Sequence, residues 1–226
     1  MAEKTLEEMR EAVAAIRETM AAAAREAGRD PAEVQLCAAC KTRTAETVAA
    51  SAALPIDVFG ENHVQELCAN FDAGAYCGKP SHFIGHLQTN KIKKVLGRAS
   101  LIQSVDSEHL LAAIEKEAAR AGLVQNVLLE VNIGGEASKS GVSPEQLWPL
   151  LEAAAAQEHI RVCGLMALLL PSTGPLKSGF NSVTVMARLS LMAKAHSASS
   201  IHTVSLSTTL RFEMQREQGQ PPRRET

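Results

Sequence analysis

Aromatic side chains are scarce in this 226-residue chain, which contains five Phe, one Tyr and one Trp. They make up 3% of the residues against 46% for all hydrophobic types, so a core has to be built from aliphatic side chains. No apolar run reaches the roughly 18 residues that a membrane-spanning helix needs. The first eight residues are acidic and amphipathic, unlike a signal peptide. We therefore expect a cytoplasmic protein without a membrane segment.

The chain also lacks a strong charge imbalance. Its formal net charge is −2, which argues against a general binder of nucleic acids or of anionic membranes. The five cysteines are an odd number in a long chain, a pattern typical of reduced thiols rather than of a disulfide framework. Cys37 and Cys40 have C-x-x-C spacing, but residues three apart on a strand point to opposite faces. We predict structural cysteines and no metal site.

Short apolar runs alternate with helix patterns along most of the chain. Thr5 and Glu8 form a capping-box pattern before a first amphipathic helix, which Gly28 ends. Asp106 and Ser143 are the expected N-caps of two later helices. The apolar runs span residues 34–41, 56–60, 82–87, 101–105, 126–133, 162–170 and, as a weaker candidate, 201–206.

Runs that are apolar on both faces and alternate with helices indicate a parallel sheet covered by helices. Their number and spacing favour a TIM-type (β/α)₈ barrel with an extra N-terminal helix. A doubly wound open sheet is the alternative, but no Gly-x-Gly-x-x-Gly turn follows the first strand.

In such a barrel, functional side chains lie at the carboxyl ends of the strands. Lys41 is the most informative of them, because burial disfavours its ammonium form and a neutral amine is nucleophilic. The polar residues expected at these ends are Lys41, Glu61, Asn62, His86, Gln88, Asp106 and Asn132.

Several motifs occur together in a specific order and spacing. They are residues 40–42 (Cys-Lys-Thr), 59–66 (Phe-Gly-Glu-Asn-His-Val-Gln-Glu), 82–91 (His-Phe-Ile-Gly-His-Leu-Gln-Thr-Asn-Lys), 131–141 (from Val-Asn-Ile-Gly-Gly to Gly) and 164–167 (Gly-Leu-Met-Ala). With them, the chain resembles the pyridoxal phosphate homeostasis protein family from about residue 5 to about residue 170.

This resemblance implies a barrel similar to the N-terminal domain of alanine racemase, without that enzyme's second domain. It implies pyridoxal 5′-phosphate (PLP) held as a Schiff base on Lys41, in a monomer that buffers or carries the cofactor and has no catalytic residues. Other B6 vitamers and apo enzymes that use PLP are the implied partners.

Four further residues are candidates for contacts with the cofactor. Asn62 and His86 would face its ring, although a capping Asn and a structural histidine are the alternatives. Lys139, in the glycine-rich segment 134–141, would attract an anion, unless that segment is a solvated loop. Ser205 matches the family pattern in register.

The resemblance weakens after Pro171. Arg211 stands where the family has an acid, although Phe212 and Glu213 match, and residues 215–226 are too polar for a buried strand. We expect a single domain over residues 1–226, well matched over 1–170 and divergent over 171–226, with incomplete or altered last strand–helix units. A divergent or alternatively spliced product and an altered reading frame both explain this. Cofactor retention and stability should then be lower than in a full-length relative.

Three other functions remain open on the sequence. One is a PLP-dependent amino-acid racemase-like enzyme, although racemization needs a second acid/base and no second domain is present. Another is a barrel enzyme that forms a Schiff base directly with a carbonyl substrate. The last is a degenerate barrel that no longer binds PLP.

Overall fold

Five strand–helix units and three further strands follow an N-terminal helix in the computed structural model, which describes residues 5–133, 140–169, 182–189 and 206–213. The helices are α1 (Leu6–Glu26), α2 (Ala45–Ser51), α3 (Val64–Asp72), α4 (Ile92–Val95), α5 (Glu108–Ala121) and α6 (Leu147–Ala155). The strands are β1 (Cys37–Ala39), β2 (Val58–Glu61), β3 (Ser81–Phe83), β4 (Leu101–Val105), β5 (Gln125–Val131), β6 (Ile160–Leu169), β7 (Ser182–Leu189) and β8 (Leu206–Glu213).

The eight strands form one sheet in chain order, from β1 to β8. Neighbours from β1 to β6 are parallel, which confirms the predicted α/β arrangement. β7 pairs antiparallel with β6, and β8 pairs antiparallel with β7. The Cα atoms of β8 come within 8 Å of those of β1, so the last strand returns to the first. The predicted alteration of the last units therefore takes the form of two antiparallel strands.

These two strands were not predicted correctly in detail. No strand was expected at Ser182–Leu189. The residues before it are rich in Pro, Gly and Ser, a composition that favours a loop, and the segment itself carries no clear strand pattern. The weaker candidate at 201–206 falls largely outside the described residues, and the strand there begins only at Leu206.

Side-chain caps start the helices where the sequence indicates, with one exception. The Thr5 Oγ1 atom accepts from the Glu8 backbone N–H at 3.2 Å, and Glu8 accepts from the Thr5 N–H at 2.7 Å. Ser143 likewise forms a capping box with Gln146 ahead of α6. The expected cap of α5 was wrong by one residue, because Ser107 accepts from Leu110 N–H and leaves Asp106 available to the strand ends.

Alternation along β1 and β2 divides their side chains between the two faces of the sheet. Phe59 and Cys40 belong to the large core between the strands and the helices. Cys37 lies instead against the inner position of Gly60, where an added Cβ would be 2.9 Å from its Sγ atom. The two cysteines thus face opposite sides of β1, as their spacing predicts.

The cysteines have structural surroundings. Burial, reinforced by the nearby Glu61 carboxylate, raises the pKa of the Cys40 thiol well above its usual range. No disulfide joins the five cysteines. Within the described ranges, no cluster of three or more His, Cys, Asp or Glu side chains could hold a metal ion. None of the helices in those ranges is long and apolar enough to cross a membrane.

Candidate functional site

Lys41 lies two residues past the end of β1 and occupies the second position of a tight turn. The Arg43 N–H donates to the Cys40 carbonyl at 3.0 Å, which closes the turn. The Lys41 side chain is half-buried, whereas Thr42 and Arg43, the third and fourth residues of the turn, are exposed. The strand end therefore presents a half-buried lysine next to two solvated residues.

Asn62 occupies the equivalent position after β2. Register pairs Ala39 of β1 with Gly60 of β2, so Lys41 and Asn62 each lie two residues past this pair, at the same end of adjacent strands. The Asn62 Oδ1 atom is buried and, among the residues that the structure describes, has no hydrogen-bond partner. A buried unpaired amide oxygen is uncommon in native proteins and suggests a polar group that is absent from the protein itself.

The loop after β3 packs directly on the Asn62 backbone. A Cβ atom added to Gly85 would lie 2.1 Å from the Asn62 carbonyl oxygen and 2.9 Å from its Cα atom. Only glycine allows this approach, so Gly85 fixes the position of the chain that carries Asn62. Sequence reasoning included Gly85 in a motif but did not assign it this role.

His86 lies on the rim of the site, where 62% of its side chain is exposed. Its Nδ1 atom is 3.5 Å from the Asp106 Oδ2 atom at the end of β4, which places a carboxylate beside the imidazole. The structure thus brings His86 and Asp106 together. Whether His86 contacts a ligand ring stays a prediction.

A polar pair that the sequence did not reveal lies deeper, between β3 and β4. The Gln103 Nε2 atom is 2.8 Å from His82 Nδ1, and the Gln103 side chain is fully buried. Burial lowers the pKa of His82 to about 4, so the imidazole is neutral near pH 7 and its Nδ1 atom accepts from the Gln103 amide. The sequence signal that could have revealed this pair is the polar side chain of Gln103 within an otherwise apolar run.

Glu130 is a second acidic group that sequence reasoning missed. It lies on β5, is 4% exposed, and has its pKa raised to about 7 by burial and by the negative charge of Asp106. It precedes Asn132, the residue that was expected at this strand end, by two positions, so the two lie on the same face of the extended chain. Near neutral pH the Glu130 carboxyl can therefore hold or release a proton beside Asp106.

Glu61 was expected at the strand ends but faces the other way. Its side chain is fully buried between β2 and the helices, where Oε1 accepts from Asn70 Nδ2 at 2.7 Å and from Tyr76 OH at 3.0 Å. Burial raises the pKa of Glu61 despite these two donors. The physical reason is strand alternation, because Asn62 and Glu61 are neighbours and only one of them can face inward.

Two predicted contact residues, Lys139 and Ser205, lie outside the described residues. Gln88, which was also expected at the strand ends, is exposed to solvent at the start of a short 3₁₀ helix. The described site therefore consists of Lys41, Asn62, His86 with Asp106, and the buried groups Glu130 and His82.

Comparison with known proteins gives this barrel a family. The family model described as alanine racemase, N-terminal domain, matches residues 12–216. The pyridoxal phosphate homeostasis protein of Aquifex aeolicus (strain VF5) is 38% identical over 158 residues, which are 70% of this chain and 69% of that protein. The protein of the same name from Escherichia coli (strain K12) is 33% identical over 164 residues, 71% of this chain and 70% of that one.

The chain belongs to the pyridoxal phosphate homeostasis protein family. The resemblance that the sequence motifs carried is thereby confirmed. The match of the family model also extends past Pro171, the point after which those motifs become sparse.

Solved structures share the fold of this family member. An unknown protein from Bifidobacterium adolescentis superposes with a TM-score of 0.71 at 33% identity, covering 77% of this chain and 74% of that one. PipY of Synechococcus elongatus PCC7942, solved with PLP bound, has a TM-score of 0.56 at 26% identity, covering 71% and 73%. An alanine racemase of Clostridium difficile 630 is 16% identical with a TM-score of 0.51 over 59% and 35%, a likeness of fold alone.

Proposed function

We propose that this chain binds pyridoxal 5′-phosphate through Lys41 and serves PLP homeostasis as a carrier of the cofactor. The observation that carries the proposal is the half-buried Lys41 at the end of β1, with Asn62 at the same end of the adjacent strand, where its buried Oδ1 atom lacks a partner among the described residues. A related protein, PipY, has been solved with PLP bound. The relatives named above share the homeostasis name.

The residues at the strand ends fit the reactive part of this cofactor. PLP supplies an aldehyde, which condenses reversibly with a lysine amine and releases water, so one amine stores one cofactor molecule as a Schiff base. The half-buried position of Lys41 restricts its motion and limits the access of water. Of the described residues, Lys41 is the one that performs this step.

Asn62 and His86 are proposed to orient the ring. The close approach of Gly85 holds the Asn62 backbone, so the point from which the Asn62 side chain extends is fixed before a ligand arrives. His86 is exposed and paired with Asp106, so it can approach a bound ring from the rim. Lys139 and Ser205 remain proposed contacts, and an anionic phosphate is the group that a lysine and a hydroxyl suit.

We further propose that the protein is a cytoplasmic monomer without catalytic turnover, folded as one domain over its 226 residues. Its ligands would be PLP and other B6 vitamers, and its partners would be apo enzymes that take up PLP. To store the cofactor, the protein needs an amine that binds it reversibly and a side chain that orients its ring. Lys41 would provide the first and Asn62 the second. Glu130 with Asp106 is the described group that a racemase-like activity would use.

A spectroscopic titration tests the cofactor proposal. PLP is added to the protein and to the Lys41→Ala and Lys116→Ala variants, and the Schiff-base absorbance is recorded. Lys116 is an exposed lysine of α5, far along the chain from the strand-end residues, and serves as the matched control. Saturable absorbance in the parent and in Lys116→Ala, with none in Lys41→Ala, is expected. Equal signals in all three proteins would reject Lys41 as the site.

Proton exchange separates a carrier from an enzyme. The PLP-loaded protein is incubated with alanine in deuterated water, and loss of the α-hydrogen is followed by NMR. If no more than about one α-hydrogen is exchanged per protein molecule, the result supports the carrier. Many turnovers that disappear in the Glu130→Gln variant would instead support the racemase-like alternative.

A further inference from the structure

The turn that carries Lys41 contains an unusual backbone conformation. Its third residue, Thr42, has a φ of +63°, whereas Lys41 is not among the residues with positive φ. This combination corresponds to a type II-like turn, in which glycine or asparagine normally occupies the third position. A β-branched residue such as threonine is disfavoured there. The conformation therefore needs support from outside the turn.

Glu66, in the first turn of α3, provides a contact that gives such support. Its Oε1 atom accepts a hydrogen bond from the Thr42 backbone N–H at 3.1 Å. The two residues are 24 positions apart, so this bond ties the loop after β1 to the helix after β2. A bond from a backbone N–H to a carboxylate is stronger than one between neutral groups.

The Glu66 carboxylate has little else to bind. Its Oε2 atom is buried and, within the described part of the chain, has no hydrogen-bond partner. A sheltered carboxylate near the amino end of a helix is favoured by the helix dipole, which helps to keep it in place. The side chain is therefore held against the turn by its surroundings while one oxygen atom engages Thr42.

We propose that Glu66 is a positioning residue for Lys41, and that it acts by holding the Thr42 peptide in its strained conformation. This inference rests on the proposed function of Lys41 as the PLP-binding amine. When Glu66 releases the Thr42 N–H, the turn relaxes and Lys41 leaves the orientation it needs. The fraction of molecules competent to bind falls, and the apparent affinity falls with it.

Hydrogen exchange at the Thr42 amide tests the contact without any cofactor. In Glu66→Ala this amide should exchange at least about tenfold faster than in the parent, since a charge-assisted bond is lost. Gln65→Ala, at the exposed neighbouring position on α3, is the control and should leave the rate unchanged. An unchanged Thr42 rate in Glu66→Ala, with the remaining amides as protected as in the parent, would overturn the inference.

Cofactor affinity tests the consequence for Lys41. Glu66→Ala should weaken PLP binding about tenfold or more, while Glu66→Gln, whose amide oxygen still accepts from Thr42, should lose less. Adding Thr42→Gly to Glu66→Ala should restore much of the affinity, because glycine adopts a φ of +63° without strain. A loss that Thr42→Gly does not restore would show a general structural effect and overturn the positioning role.

The two proposals fail differently. If the parent and Gln65→Ala bind no PLP, the proposed function fails, whereas Thr42 exchange still decides whether Glu66 holds the turn. If the parent binds PLP and Glu66→Ala binds it equally well, the inference alone fails.

Discussion

Substituting Gly85 by alanine should destabilise the barrel and disturb Asn62 together. The added Cβ would lie 2.1 Å from the Asn62 carbonyl oxygen, 2.8 Å from its carbonyl carbon and 2.9 Å from its Cα. All three atoms are backbone, so no side-chain rotation relieves the clash. The end of β2 or the loop after β3 has to move.

The size of the effect depends on how far the atoms around the added methyl group can move. Overpacking by one methyl group costs about 1–3 kcal/mol when neighbours adjust, so we expect about 3 kcal/mol for Gly85→Ala. For a chain of this length this lowers the melting temperature by about 6–12 °C. Gly60→Ala should cost less, because its close neighbours are the Ile84 Cδ1 atom at 2.7 Å and the Cys37 Sγ atom at 2.9 Å, both at the ends of side chains.

Urea unfolding provides the assay, with Gly97→Ala as the control. Gly97 has a φ of +76° but no atom within 4 Å of an added Cβ, so its substitution reports only the backbone cost, about 1–2 kcal/mol. We expect Gly85→Ala to lose more stability than either Gly60→Ala or Gly97→Ala. The dependence of the unfolding free energy on urea concentration should be the same in all three variants. A Gly85→Ala variant as stable as Gly97→Ala would refute the close approach of Gly85 to Asn62.

Three buried groups give further predictions. Because the pKa of Glu130 rises from 4.5 to about 7 on folding, stability should fall as pH rises through that window, by up to about 3 kcal/mol, and Glu130→Gln should remove this loss in urea titrations at pH 5 and 8. Because the pKa of His82 falls from 6.5 to about 4, stability should drop on acidification across that range, and His82→Asn should reduce the drop in acid-unfolding curves. Glu61→Leu should cost about 2–4 kcal/mol, since it strands two buried donors, whereas Glu61→Gln should cost clearly less by thermal unfolding.

The parallel part of the fold, from β1 to β6, was predictable because its signals are local. Apolar runs, polar strand ends and capping residues such as Thr5 and Ser143 each leave a pattern within a few residues. The identity of the strand-end lysine also followed, because Lys41 terminates an apolar run. The motifs added the family, which composition alone does not reveal.

What could not be predicted depends on direction and on contacts between distant segments. Which of Glu61 and Asn62 faces inward is set by the strand register, and a shift of one residue reverses it. The pair His82 and Gln103 meets across two strands 21 positions apart, with no shared motif. The antiparallel direction of β7 and β8 likewise leaves no local signature in their sequence.

The most direct test of the account is the location of the covalent adduct. The protein is mixed with PLP, reduced with borohydride and digested, and the pyridoxyl-bearing peptides are identified by mass spectrometry. The account predicts a single major adduct on Lys41, at about one per chain, which is absent from Lys41→Ala and retained in Lys116→Ala. Adducts spread over exposed lysines, with equal total labelling of Lys41→Ala, would contradict it.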